Sequence, residues 1–213
     1  FQLLQVVILT KFLNKEAFGL IAIALVVISF SNIFVDRGFT SAILHKQNAT
    51  RNEYSSIYWL NIFIAIVIYL GLFFLAPFIS NFYGENELLD IIPVLGLNIL
   101  FVSIGRQHQT ILQKNFKFKN IAIVELISVF CGLIFAVILA IQGYGVYSLV
   151  YSTLLKSAIA HILFLILNIK GNPLSFYFTF KEVKPFIKVG GFHMASSFLG
   201  FFSKEIDILI IGR

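Results

Sequence analysis

Charge is scarce in this chain. Only 12% of its 213 residues are Asp, Glu, Lys or Arg, about half the roughly 25% of a soluble globular domain, which excludes an ordinary water-exposed surface. Cysteine occurs once, at Cys131 inside an apolar run, so an intrachain disulfide is excluded and the residue reads as buried filler. Four prolines are too few to interrupt long helices. Also missing are the phosphate-cradling G-x-x-x-x-G-K-S/T pattern, H-E-x-x-H and G-x-S-x-G, so nucleotide hydrolysis, zinc proteolysis and serine hydrolysis lack their residues. No metal-ligand cluster is visible and no cofactor is expected. The four His are scattered over separate segments and read as packed or interfacial side chains.

What is present is apolar. Hydrophobic residues make up 59%, with 25 Phe and 8 Tyr, and the mean hydropathy is +0.92. A spanning helix takes about 20 apolar residues, so the length holds about six to seven spans and leaves no room for a soluble domain. The pattern predicts an all-α polytopic membrane helical bundle. The expected helices are a first ending near residue 10, then 17–44, 55–82, 89–112, 121–142, 147–167, and a seventh from 185 onward. FQLLQVVILT opens with neither Met nor a basic region, and IDILIIGR stops within an apolar run. The chain is therefore expected to be one part of a longer protein, its first helix lacking its beginning.

Lysine and arginine alternate between loops. Lys46 and Arg51, then Lys114, Lys117 and Lys119, then Lys170, Lys181 and Lys184 fall on one side, while the other carries Lys11, Lys15, the acidic GENELLD and the uncharged turn at 143–145. The positive-inside rule makes the first side cytoplasmic, with a cytoplasmic amino terminus. The net charge of +6 is thus a mark of topology and not of nucleic-acid binding. Tyr54, Tyr58 and Trp59 are expected at the inner interface, Phe82 and Tyr83 at the outer one. The sequon at Asn48 falls in a cytoplasmic loop and is discarded.

Polar residues inside the spans are the functional candidates, because charge in hydrocarbon is costly. Lys156 sits near the centre of its helix, where insertion costs about 2.5 to 3.5 kcal/mol, with Ser152 and Ala160 four residues to either side. Glu125 is followed by Ser128, Gly132, Ala136 and Ala140, a small-residue stripe that lets another helix approach. Glu125 is expected to pair with His161 or Lys156; the alternative is that it neutralises Lys117 or Lys119 at the interface. Ser103, Arg106, Thr110 and Gln113 fall on one helical face, either presenting cations to an anionic headgroup or emerging into the cytosol. Asp36 and Arg37 end the uncharged run 17–35 and point about 100° apart, so one of them faces inward, or Arg37 snorkels into the headgroups beside a capping Asp36. Gly190 and Gly191 loosen the last helix, and Lys204, Glu205 and Asp207 cluster beyond them.

FGLIAIALVV, FVDRGFTSAIL, NFKFKNIAIVE, GYGVYSLV and EIDILIIG follow one another along the chain. In that succession the sequence resembles the polysaccharide-biosynthesis flippases of the MOP exporter superfamily, the Wzx-type or O-antigen transporters. The resemblance implies a MATE-like fold of two helical lobes about a central cavity that opens alternately to either side. It implies translocation of polyprenyl-pyrophosphate-linked oligosaccharide across the bacterial inner membrane, in a pathway shared with glycosyltransferases and a polysaccharide polymerase. On that mapping residues 1–184 form most of the first lobe and 185–213 begin the second. Membrane position, and not a transferred family site, nominates Arg37, Arg106 and Lys156 to attract the pyrophosphate. Glu125, Asp36 and His161 are nominated to tune them or carry a coupling proton.

Two other classes compete. A cation-coupled drug exporter of the same superfamily should show more acid relative to base than Asp36, Glu125, Arg106 and Lys156 provide. A membrane glycosyltransferase or sugar polymerase should carry a large extramembrane loop, and none is present.

Overall fold

The structure is a computed structural model that describes residues 8–35, 42–44, 46, 49–169 and 175–211, with side chains except at 187–189, 192–194 and 202–211. Among the described residues there is no strand. Six long helices follow in order among the described residues: α1 Lys15–Val35, α2 Arg51–Tyr83, α3 Leu88–Lys114, α4 Phe118–Ile141, α5 Tyr147–Ile169 and α6 Phe180–Ile211. The first five are long and apolar enough to cross a bilayer, so this is a multi-pass, all-α membrane protein. The expected first helix falls mostly on residues outside those described, and the continuation of the second through 36–41 does so as well.

Helix boundaries follow local chemistry. The helix expected from residue 55 begins at Arg51, because Thr50 closes a capping box. Its side chain accepts from the Glu53 N–H at 3.2 Å, and the Glu53 carboxylate accepts from the Thr50 N–H at 2.8 Å. This reciprocal pair satisfies two backbone donors that a helix start leaves open. Gly84, at φ 73°, ends α2 and donates its N–H to the Ser80 carbonyl; glycine adopts this left-handed conformation without a Cβ clash. The helix expected from residue 185 begins at Phe180 and carries Pro185 inside it.

α3 is the central element, packed on α1, α2 and α5, while α4 lies mainly on α5 and α6 on α1 and α2. The main core gathers Leu88, Ile91, Ile92, Leu95 and Ile99 of α3 against apolar residues of α1, α2 and α5. Close packing of α3 on α5 depends on Gly105, where an added Cβ would lie 2.4 Å from the Cα and carbonyl oxygen of His161. The stripe Ser128, Gly132, Ala136 and Ala140 is buried on α4, and Gly132 faces the Lys156 Cβ. Conversely, Phe63, Phe74 and Phe78 of α2 and Ile134 of α4 are more than half exposed. Apolar faces of this extent suit a helix bundle surrounded by lipid.

One end of the bundle is tied by polar contacts. Glu53 is buried and paired with the Lys46 ammonium. Lys114 donates to the Lys46 carbonyl and, at 3.1 Å, to the Tyr54 hydroxyl. Residues 175–179 lie along the start of α2: Ser175 N–H donates to Ser55 Oγ at 3.1 Å, Trp59 Nε1 to the Ser175 carbonyl at 3.0 Å, and Thr179 N–H to Ser56 Oγ at 3.2 Å. Trp59 stacks on Phe176 with ring centres 5.1 Å apart. Ala42, Ile43, Ile57 and Phe186 form a small core that holds the first turns of α6 at the same end.

Two expectations need correction. Tyr58 does not face the interface; it is buried, with its ring edge-on to His108. Cys131 is half-buried and not fully enclosed. Asn48 lies outside the described residues.

Candidate functional site

A polar groove of about 720 Å³ opens between α3, α4 and α5. Arg106 and Gln109 line it from α3, Glu125 from α4, and Lys156 and His161 from α5. Four of the six nominated residues thus meet in one place. The other two, Asp36 and Arg37, lie outside the described residues.

Within the groove, Arg106 Nη1 donates to Gln109 Oε1 at 3.0 Å, and Gln109 Nε2 donates to Glu125 Oε1 at 3.5 Å. Gln109 is 8% exposed, so both ends of its carboxamide are committed in a nearly closed setting. Glu125 takes a hydrogen bond from Gln109, a partner that the expectation of His161 or Lys156 did not include. His161 Nδ1 lies 2.8 Å from the Ser157 carbonyl. A carbonyl only accepts, so this nitrogen carries the proton and the ring orientation is fixed by its own helix.

Lys156 is half-buried, and among the described residues its ammonium has no ion-pair partner. Gly132 packs against its stem, with a built Cβ 3.0 Å from the Lys156 Cβ and 3.4 Å from the Ser152 carbonyl. The small-residue stripe thereby brings α4 close beside the lysine. Two cations and one carboxylate share the groove, with Ser128, Thr153 and Ser157 as neutral polar lining. Such a concave, polar, basic surface can attract an anion and shield it from the surrounding hydrocarbon.

The face of α3 that serves the groove differs from the expected one. Ser103 Oγ donates to the Leu100 carbonyl at 2.8 Å and Thr110 Oγ1 to the Arg106 carbonyl at 3.0 Å. Both hydroxyls are satisfied by their own helix. The lining runs instead through Asn98, Val102, Arg106 and Gln109. Its spacing of four, four and three was present in the sequence, but Val102 interrupts the polar pattern. Asn98 and Gln109 of α3, with Thr153 and Ser157 of α5, are polar lining residues that sequence reasoning missed.

Around the groove, α3 uses its remaining polar side chains for packing. Gln107 Nε2 donates to the Tyr54 carbonyl at 2.9 Å. The buried His108 ring meets the Asn168 amide through Nδ1 at 3.1 Å. These contacts hold α2, α3 and α5 in register. A second groove of about 510 Å³, lined by Phe30, Phe34, Leu72 and Phe201 among α1, α2 and α6, is almost wholly apolar. Its one hydroxyl, Ser31 Oγ, is spent on the Val27 carbonyl at 2.9 Å.

Among the described residues no group of His, Cys, Asp and Glu is placed to hold a metal ion. The chain is similar to the teichuronic acid biosynthesis protein TuaB of Bacillus subtilis, 29% identical over 185 residues that cover 86% of this chain and 38% of that protein. It is similar to the lipopolysaccharide biosynthesis protein WzxC of Escherichia coli, 24% identical over 211 residues, 99% of this chain and 43% of the relative. A third relative, the succinoglycan biosynthesis transport protein ExoT of Rhizobium meliloti, is 28% identical over 206 residues, 97% and 41% of the two chains. This chain accordingly spans about two fifths of the length of these relatives. No solved structure matches it. With residues 8–213 matched to the family described as polysaccharide biosynthesis protein, and with spans and groove arranged as above, the chain belongs to that family.

Proposed function

We propose that this chain is the first-lobe part of a flippase that carries polyprenyl-pyrophosphate-linked oligosaccharide across the bacterial inner membrane for surface polysaccharide synthesis. The observation that carries the reading is the convergence of Arg106 and Lys156 on one groove within the spans. A pyrophosphate needs cations at membrane depth, whereas its polyprenyl tail is at home in lipid. The relatives' names, which include lipopolysaccharide biosynthesis and succinoglycan biosynthesis transport, support the same substrate class. Residues 1–184 serve as the first lobe and 185–213 as the start of the second. Movement proceeds by alternating access, with the amino terminus cytoplasmic and without covalent chemistry by the chain itself. Glycosyltransferases and a polymerase of the same pathway supply and consume the substrate.

A cation-coupled drug exporter of the same superfamily is the second reading. One carboxylate against two fixed cations, with His161 beside them, favours an anionic cargo over a cationic one. The test is a flipping assay in proteoliposomes with a fluorescent polyprenyl-pyrophosphate sugar. Replacing Arg106 and Lys156 together by Ala is expected to abolish flipping while leaving insertion intact; undiminished flipping would refute the assignment.

A further inference from the structure

We propose that the turn between α3 and α4 is a lipid site, at which Phe116, Lys117, Phe118 and Lys119 hold the headgroup and upper acyl chains of an anionic phospholipid. This surface lies outside the polar groove and is independent of the function proposed for it.

The backbone at the end of α3 takes a form that glycine favours. Lys117 N–H donates to the Leu112 carbonyl and Phe116 N–H to the Gln113 carbonyl, both at 2.9 Å, and Phe116 stands at φ 56°. Among the described residues it is the one residue other than glycine with a positive φ. The turns after α2 and α4 use the same left-handed conformation, but at Gly84 and Gly143, with φ 73° and 82°. A Cβ in this conformation crowds the carbonyl that follows, so phenylalanine here costs stability that glycine would not. Burial within the chain does not offset that cost, because Phe116 is 81% exposed. Its ring meets that of Phe118, itself 57% exposed, edge-on at 6.1 Å. A strained residue whose ring is turned out of the fold points to a partner outside it.

Position and charge identify that partner. α3 and α4 are both long and apolar enough to cross a bilayer, so the turn joining them sits where the hydrocarbon ends. Aromatic rings settle at that depth, and lysines there reach up to the headgroups. Lys117 and Lys119 are exposed, and among the described residues neither ammonium has an ion-pair partner. No acid stands in the first turn of α4 to offset them. Two outward rings and two uncompensated ammonium groups in four consecutive positions fit a molecule that is apolar below and anionic at its head. An anionic phospholipid has that make-up; a zwitterionic one lacks the net charge, and a soluble anion lacks the acyl chains.

The experiment is native mass spectrometry of the purified chain released from detergent micelles that hold equal amounts of phosphatidylglycerol and phosphatidylcholine, with melting temperatures measured in detergent alone. A lysine beside an anionic surface contributes about fivefold, so the wild-type chain is expected to retain phosphatidylglycerol about fivefold or more over phosphatidylcholine. Lys117→Gln combined with Lys119→Gln should bring that ratio below about twofold. Phe116→Gly separates the site from the fold. It relieves the backbone and should raise the melting temperature, while retained phosphatidylglycerol falls about threefold or more as the ring's apolar contact is lost. A Phe116 that served the fold alone would give the opposite pair of results, a lower melting temperature and wild-type lipid retention, and would overturn the inference. Equal retention of the two lipids by the wild-type chain would also overturn it. So would a wild-type ratio in the double lysine variant, which would move the preference to the other lysine-rich loops. A wild-type dimer that Phe116→Gly abolishes with lipid retention unchanged would assign the rings to a second copy of the chain and refute the lipid site.

Discussion

Gly105 and His161 touch backbone to backbone: no Cβ fits on the glycine without coming within 2.4 Å of the histidine Cα. The contact fixes how closely α3 approaches α5, and therefore the width of the groove between them. Gly105→Ala must push the helices apart, and overpacking of this kind costs about 1 to 3 kcal/mol. The melting temperature in detergent should fall. Gly19→Ala, where a Cβ meets nothing within 4 Å, should be neutral or slightly stabilising because alanine favours helix. Equal melting temperatures for the two variants would contradict the contact.

Lys156 is expected to act through its charge. Lys156→Met keeps most of the stem that packs on Gly132 and removes the ammonium. A hydrogen bond to a charged group is worth about 1.5 to 3 kcal/mol, so affinity for farnesyl pyrophosphate should drop roughly tenfold to a hundredfold. Lys156→Arg should restore much of it. If the methionine variant bound as well as wild type, the ammonium would have no part in anion capture.

Thr50 should matter for stability and not for binding. Thr50→Ala removes the acceptor for the Glu53 N–H and is expected to cost about 1 kcal/mol, whereas Thr50→Ser should cost far less. Amide hydrogen exchange in the first turn of α2 is the direct readout. Unchanged protection there in the alanine variant would speak against the cap.

His108 and Asn168 should prove energetically coupled. Asn168→Leu leaves a buried ring nitrogen without its amide, a loss of about 1 to 3 kcal/mol. The double variant with His108→Leu should be less unstable than the sum of the two single variants. Simple additivity in thermal unfolding would show that the 3.1 Å contact contributes little.

The membrane spans were legible because hydropathy is a local property: the uncharged run 17–35 cannot sit in water whatever surrounds it. The α4 stripe was legible for a related reason, since small residues every fourth position place a groove on one helix face without knowledge of the partner. Which polar residues of α3 face the groove was not legible. Ser103 and Thr110 look available in sequence, yet each returns its hydroxyl to a carbonyl of its own helix, an option open only to short hydroxylated side chains. Gln109 was missed because its role depends on two neighbours, one of them on another helix. Tyr58 was misplaced because aromatic residues near a span end suit both an interface and a core, and only the position of His108 decides between them.

The tie between residues 175–179 and α2 has a mechanical consequence. With Thr179 bonded to Ser56 and Phe186 clamped among Ala42, Ile43 and Ile57, the near end of α6 is anchored. Helical backbone continues unbroken through Gly190 and Gly191, the first place beyond the clamp where two residues without side chains adjoin. A lever pivoting there has an arm of roughly 30 Å at about 1.5 Å per residue. One degree of bend at the glycine pair becomes about half an ångström of travel at its far tip.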